Sequence, residues 1–166
     1  GATAGRVRFD GVRFVTWDAL GGPALPESLL QALCASREGS LWIGFGNLGR
    51  ALRPLLAPFG GTIRVHDPWL PPGYLREQRC VPATLAEVLA RSRVVFLLAG
   101  VTDENTGLIG RREIALMEPG TVVVLLSRAA LVDWEAFVEA ARVGRIRAAT
   151  DVFPQEPVLP GDPVRE

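Results

Sequence analysis

Lysine is absent from this sequence: all 18 basic side chains are arginine, set against 18 acidic ones, so the formal net charge is zero. With no basic stripe and no tail of like charge, neither nucleic acid nor another electrostatic partner is expected. The arginine bias reads as coding bias rather than function. Histidine occurs once, at His66, and cysteine twice, at Cys34 and Cys80. The cysteines lie far apart with no C-x-x-C spacing, so neither a zinc site nor a disulfide framework is indicated, and no metal is assigned. A reducing, cytoplasmic setting is the default reading. Long apolar runs are missing too. The longest, VVFLLAGV (Val94 to Val101) and TVVVLL (Thr121 to Leu126), fall far short of the roughly 20 residues that cross a bilayer, so no membrane association is expected. The first residues, GATAGRVRFDG, lack the apolar stretch of a signal peptide.

What is present is enough apolar sequence for one substantial core: 48% of 166 residues are hydrophobic, which favours a single domain with little room for a second. From Leu41 onward, short β-rich runs alternate with segments of helical character, the pattern of βα units on a parallel sheet. The expected strands are Leu41 to Phe45, Thr62 to Asp67, Val94 to Ala99, Thr121 to Ser127 and Ile146 to Val152, with a short CV segment at Cys80 as a candidate sixth. Between the first two, NLGRALRPLLAPF sets Leu48, Leu52, Leu55 and Leu56 on one side at helical spacing, with Pro54 either early in the helix or kinking it. Thr84 and Glu87 have capping-box spacing and open a second helix. REIALMEPG ends at Pro119-Gly120, and DWEAFVEAARVG starts on the N-cap Asp133 and stops at Gly144. Ahead of Leu41, VRFVTW (Val12 to Trp17) reads as a strand and LPESLLQALCA (Leu25 to Ala35) as a helix. The fold class is therefore α/β, a doubly wound, Rossmann-type parallel sheet in three α/β/α layers.

The stretch LWIGFGNLGR carries a G-x-G-x-x-G pattern between the first strand and an amphipathic helix, the context that gives such a pattern meaning. Gly44 permits the tight turn, Gly46 lets the backbone approach a pyrophosphate, and Gly49 lets helix pack on strand. The backbone of Asn47 and Leu48 belongs to the same phosphate-facing helix start. Asp67 ends the next strand about twenty residues on, where a carboxylate accepts hydrogen bonds from a ribose 2′-hydroxyl. An anion there repels a 2′-phosphate, and Pro68 and Trp69 supply no cation, so NAD is favoured over NADP. The alternatives are a tight βα turn with an incidental Asp, and a nucleoside site of the S-adenosylmethionine-methyltransferase kind.

GFGNLGR, VTDENTGLIG, ALMEPGTVVVLLSRAALVD and GRIRAATDVFPQEP, in that order and spacing, resemble the nucleotide-binding domain of the D-isomer-specific 2-hydroxyacid dehydrogenases, from Leu41 to Glu156. The resemblance implies an NAD-dependent oxidoreductase interconverting a small 2-hydroxy acid and a 2-keto acid. It puts the substrate-carboxylate arginine at Arg128, a residue suited to the task because its guanidinium binds carboxylates bidentately and stays charged. It puts the acid that pairs with a catalytic histidine at Glu156, the nicotinamide-orienting aspartate at Asp151, and Ser127 and Thr102 beside the cofactor. Ala129 and Ala130 stand where family members commonly have Gly after the arginine, and Ala99-Gly100 where many have a Pro.

The family's histidine lies beyond the glutamate, and no histidine follows Glu156 here. His66, next to Asp67, belongs to the adenosine end. Since general acid-base help is worth about 10² to 10⁴ in rate, this chain by itself is expected to be a poor catalyst. The expected organisation is residues 1–40 as an N-terminal extension or remnant of a substrate domain, 41–156 as the nucleotide-binding domain, and 157–166 as a tail. The chain thus reads as incomplete, either truncated or joined at CASREGS across segments it does not contain. The family usually pairs through its nucleotide domains, so a homodimer is a further expectation. The competing functional reading is a non-catalytic NAD(H) sensor of the corepressor kind.

Overall fold

The structure, a computed structural model, describes residues 7–9, 14–16 and 40–158. The chain forms two compact units, Gly1–Leu30 and Gln31–Glu166. In the first, β1 (Val7–Phe9) pairs antiparallel with β2 (Phe14–Thr16), which places a strand within the expected Val12 to Trp17 segment. The expected helix from Leu25 to Ala35, Cys34 and the last eight residues of the tail lie outside the described residues.

The second unit is built on six parallel strands: β3 (Ser40–Ile43), β4 (Ile63–His66), β5 (Val81–Pro82), β6 (Val94–Leu97), β7 (Thr121–Leu125) and β8 (Ile146–Thr150). Their order in the sheet is β5-β4-β3-β6-β7-β8. The helices are α1 (Asn47–Leu56), α2 (Pro72–Glu77), α3 (Leu85–Ala90), α4 (Arg111–Leu116) and α5 (Trp134–Arg142). From β3 the chain steps outward to β4 and β5, then returns through α3 and proceeds the other way through β6, β7 and β8. Parallel crossovers are right-handed, so the two directions put their helices on opposite faces of the sheet. The result is the Rossmann-type doubly wound arrangement expected from the sequence.

The alternation of strand side chains divides the core in the same way. Val95, Leu97, Val123 and Leu125 pack with Leu89 of α3, Ile114 of α4 and Phe137 of α5 in one cluster. Val94, Phe96 and Val122, pointing the other way, are equally buried. Buried on both faces, these strands read as continuous apolar runs.

Two local expectations are corrected. Leu55 is 43% exposed, off the buried side of α1, while Leu56 is buried. Pro54 lies within α1 on an exposed position, two residues before the helix ends and Ala57–Phe59 tightens into a 3₁₀ turn. Helix α4 stops at Leu116 rather than at Pro119-Gly120, because Met117 turns to extended backbone. Among the described residues, no helix is long and apolar enough to cross a membrane.

Candidate functional site

A sheet wound in two directions opens a crevice at the carboxyl ends of the strands where the direction reverses. Here that point lies between β3 and β6, and the loops that leave them touch. Gly44 has φ of 89°, and a Cβ built on it would stand 2.7 Å from the Ala99 backbone. Only glycine satisfies both the left-handed backbone and the close approach. Two residues on, Gly46 is the N-cap of α1, and a Cβ there would meet nothing within 4 Å. The open space lies in front of a helix start that no side chain caps and whose first turn holds no acidic residue. Its unpaired N–H groups and positive dipole end therefore suit an anion. Gly49 is buried, as helix-on-strand packing requires, while Asn47 is exposed and its Oδ1 accepts from the guanidinium of Arg50.

The strand ends bring Asp67 to the same place. Its Oδ2 accepts the Phe45 N–H at 2.8 Å and its Oδ1 the Trp69 N–H at 3.0 Å. A carboxylate offers about four acceptor positions, so two bonds to the backbone leave capacity for a diol. Gly44, Gly46, Arg50, Asp67 and Trp69 line a hollow of about 540 Å³. It shares Leu98, Ala99 and Gly100 with a second hollow of about 900 Å³, lined by Leu48, Ser127, Arg128, Trp134 and Phe153 among others. Two adjoining hollows at the switch point stand where open α/β sheets place their ligands.

In the larger hollow, Ser127 Oγ donates to the Leu97 carbonyl at 3.0 Å, which anchors the end of β7 to β6. Arg128 is exposed, and its Nη1 donates to the Ser127 carbonyl at 2.7 Å. Its charge is thus at the strand end, on the wall of the larger hollow. Past β8, Phe153 sets its ring edge-on to Trp134, centroids 5.9 Å apart, and Trp134 in turn contacts Phe137 of α5. This aromatic stack holds the loop after β8 against the start of α5, whose first turn Asp133 caps through the Ala136 N–H.

Of the residues expected to form a site, Gly44, Gly46 and Asp67 meet in the smaller hollow and Leu48, Ser127 and Arg128 in the larger. Asn47 and Gly49 line neither, and nor do Thr102, Asp151 and Glu156. The last three are exposed, Thr102 in the loop after β6 and the other two after β8, where the Glu156 carboxylate accepts the Phe153 N–H at 3.2 Å. His66 contacts the Ala83 carbonyl through Nδ1 at 3.4 Å, at the β5 side of β4. Cys80 is buried, and desolvation pushes its thiol up despite the nearby Arg53 guanidinium.

Sequence reasoning missed Asn105. It is 6% exposed, its Oδ1 accepts the Thr102 N–H at 2.7 Å and its Nδ2 donates to the Gly100 carbonyl at 2.7 Å. This one amide fixes both ends of the loop segment that begins at the wall between the hollows. Arg50 and Trp69 were missed as lining residues. The signal for Arg50 was available in its place one turn into the helix after the glycines.

A profile described as D-isomer specific 2-hydroxyacid dehydrogenase, NAD binding domain, matches residues 34–166. The D-3-phosphoglycerate dehydrogenase of Mycobacterium leprae is 32% identical over 116 residues, 69% of this chain and 22% of that protein. The glyoxylate reductase of Thermococcus gammatolerans is 35% identical over 116 residues, 69% of this chain and 35% of that protein. Among solved structures, a phosphoglycerate oxidoreductase from Rhizobium etli superposes with a TM-score of 0.72 at 43% identity, over 79% of this chain and 39% of that one. The chain therefore spans well under half the length of each of these relatives.

Proposed function

Because the chain belongs to the D-isomer-specific 2-hydroxyacid dehydrogenase family through its NAD-binding domain, we propose that the protein is an NAD-dependent oxidoreductase that interconverts a small D-2-hydroxy acid and its 2-keto acid. One observation carries the reading: the glycine loop, an uncapped helix start and Asp67 meet in a hollow that shares a wall with the hollow holding Arg128.

In this reading the first-turn amides of α1, from Asn47 to Gly49, and the backbone of Gly44 and Gly46 hold the pyrophosphate. Asp67 accepts from the adenosine ribose, and its negative charge favours NAD over NADP. Thr102, Ser127 and Asp151 serve the nicotinamide end. A bound nicotinamide supplies or accepts the hydride. Arg128 clamps the substrate carboxylate with two parallel N–H donors and draws electron density from the neighbouring carbonyl. Glu156 keeps a histidine from elsewhere protonated for transfer to the developing alkoxide, a role His66 cannot take from its place at the Asp67 end. Residues 1–40 act as an extension or remnant of a substrate domain and 157–166 as a tail. The working form is a cytoplasmic homodimer. The sensor reading has no observation in its favour, since NAD binding alone requires neither Arg128 nor Glu156.

The test is twofold. NADH, and not S-adenosylmethionine, should raise the unfolding temperature, because a ligand stabilises only the state that binds it; protection by the methyl donor alone would overturn the cofactor assignment. In the complete enzyme, Arg128→Ala should abolish keto-acid reduction with NADH affinity nearly intact, whereas normal turnover would remove Arg128 from the substrate site.

A further inference from the structure

We propose that the indole of Trp69 is the surface on which the adenine ring of the cofactor stacks, making Trp69 a determinant of affinity for the adenosine half of the dinucleotide. The proposal rests on the cofactor reading above and adds to it a residue that neither the glycine pattern nor Asp67 identifies.

Trp69 is 58% exposed, the most open of the aromatic side chains among the described residues. A large apolar ring left in water contributes little to the fold, so its area is available to a ligand. That position is held from the backbone. The Asp67 Oδ1 accepts the Trp69 N–H at 3.0 Å, an Asx-turn that ties the base of the indole to the same carboxylate that faces the ribose. Trp69 lines the hollow that Asp67 and the glycine loop also line. The remaining wall there is apolar: Leu70, Pro71 and Tyr74, with the Tyr74 ring edge-on to Phe45 at 6.5 Å between centroids.

The chemistry of the ligand completes the argument. Adenine is joined to its ribose by one bond, so a ribose held by Asp67 puts the base within a ring's width of the carboxylate. Of the aromatic side chains lining that hollow, Phe45 is buried and Tyr74 half-buried, leaving Trp69 with an accessible face. Stacking on an indole needs no hydrogen-bond partner on the base edge, which suits a wall made of Leu, Pro and aromatic rings. Arg50, the one cation lining the hollow, is on the helix that receives the phosphates, so charge and stacking serve different parts of the same nucleotide.

The experiment titrates ADP-ribose and NADH into the full chain and into Trp69→Ala and Trp69→Phe by calorimetry, with unfolding temperature as the control for integrity. Trp69→Ala should weaken both ligands by the same factor, about 10-fold. Trp69→Phe should retain most of the affinity while abolishing the part of the tryptophan fluorescence quenching that ADP-ribose causes in the parent chain. That pairing of kept affinity and lost quenching is not produced by a merely structural role. Equal ADP-ribose affinity in the parent and Trp69→Ala would overturn the stacking assignment and leave the cofactor reading standing. Failure of the parent chain to bind either ligand would overturn both.

Discussion

The Phe45 amide donates to the Asp67 carboxylate across 2.8 Å, joining the glycine loop after β3 to the end of β4. An aspartate placed to meet a ribose is thus also a bracket for the turn that meets the pyrophosphate. Removing it affects both. Asp67→Ala should lower stability by about 1–3 kcal/mol, the cost of stranding amides that had a charged acceptor, and weaken NADH binding as well. Asp67→Arg should weaken NADH and narrow its advantage over NADPH. Urea denaturation and calorimetry read the two effects separately; unchanged stability in Asp67→Ala would deny the bracket, and an unchanged NADH to NADPH ratio in Asp67→Arg would take Asp67 out of the ribose site.

Gly44 and Gly46 look equivalent in a motif but answer to different demands. At Gly44 a methyl group would strike the Ala99 backbone and the backbone is left-handed; at Gly46 there is room and φ is −69°. Gly44→Ala should therefore destabilise the fold by about 2 kcal/mol or more, combining backbone strain with overpacking. Gly46→Ala should cost about 1 kcal/mol at most, the range of a changed N-cap, yet lose cofactor affinity because the methyl occupies the space the phosphates approach. Thermal melts alongside NADH titrations check this, and equal loss of stability in the two variants would remove the distinction.

The parts of the fold that could be read beforehand are those whose signals are local. The strands announce themselves as apolar runs, the Thr84–Glu87 pair as a cap, and Asp133 and Gly144 as the ends of α5, and the structure has each. Helix α2 escapes such reading because PGYLRE is short, opens on the second of two prolines and has no apolar period. Leu55 misleads because helical spacing does not say how wide the buried stripe is. The site divides along the same line. Glycines and Asp67 form a pattern in sequence, whereas Asn105 sits in a polar, turn-rich stretch where an asparagine reads as surface, and only the folded loop turns it inward.

Asn105 uses both ends of its amide on the loop that carries Thr102. Asn105→Leu keeps the forked shape, adds bulk, and strands the Thr102 N–H and the Gly100 carbonyl, so about 2 kcal/mol of stability or more should be lost. Asn105→Asp keeps the acceptor for Thr102 but turns a carboxylate oxygen toward the Gly100 carbonyl, and should be destabilising too. Because Gly100 lines both hollows, NADH affinity should fall in both variants. Denaturant midpoints at neutral pH with parallel NADH titrations decide it; wild-type stability in Asn105→Leu would show the loop held by other bonds.

The capping box of α3 makes a pH-dependent contribution whose sign follows from Glu87. Its Oε2 accepts the Thr84 N–H and the Thr84 hydroxyl, both at 2.9 Å. The backbone bond first and the hydroxyl second hold its carboxyl below the usual 4.5. A depressed acid stabilises the fold above its unfolded value, and that stabilisation is lost as the pH falls through the folded value. Glu87→Gln should therefore be less stable than the parent at pH 7 and converge with it as the pH drops below the ordinary carboxylate range. A difference that stays constant across that range would mean the carboxylate's charge is irrelevant to the cap.

Two helices end in the same motif with different residues at its critical position. After α5, Gly144 takes φ of 71°, its N–H bonds the Ala141 carbonyl and the next N–H, of Arg145, bonds Ala140. After α2, Arg79 takes φ of 56°, its N–H bonds Arg76 and the Cys80 N–H bonds Leu75. Both are Schellman ends, and in the second the flanking Leu75 and Cys80 are buried as that motif favours. An L-residue in the left-handed region costs about 1–2 kcal/mol, while a glycine gives back about 0.5–1 kcal/mol through its freer unfolded chain. The difference favours glycine, and the exposed Arg79 side chain leaves little to offset it. Arg79→Gly should raise stability by about 0.5–1 kcal/mol, and Gly144→Arg should lower it by a similar amount or more. If urea midpoints instead fall in Arg79→Gly, the guanidinium is making a contact worth more than the strain its backbone carries.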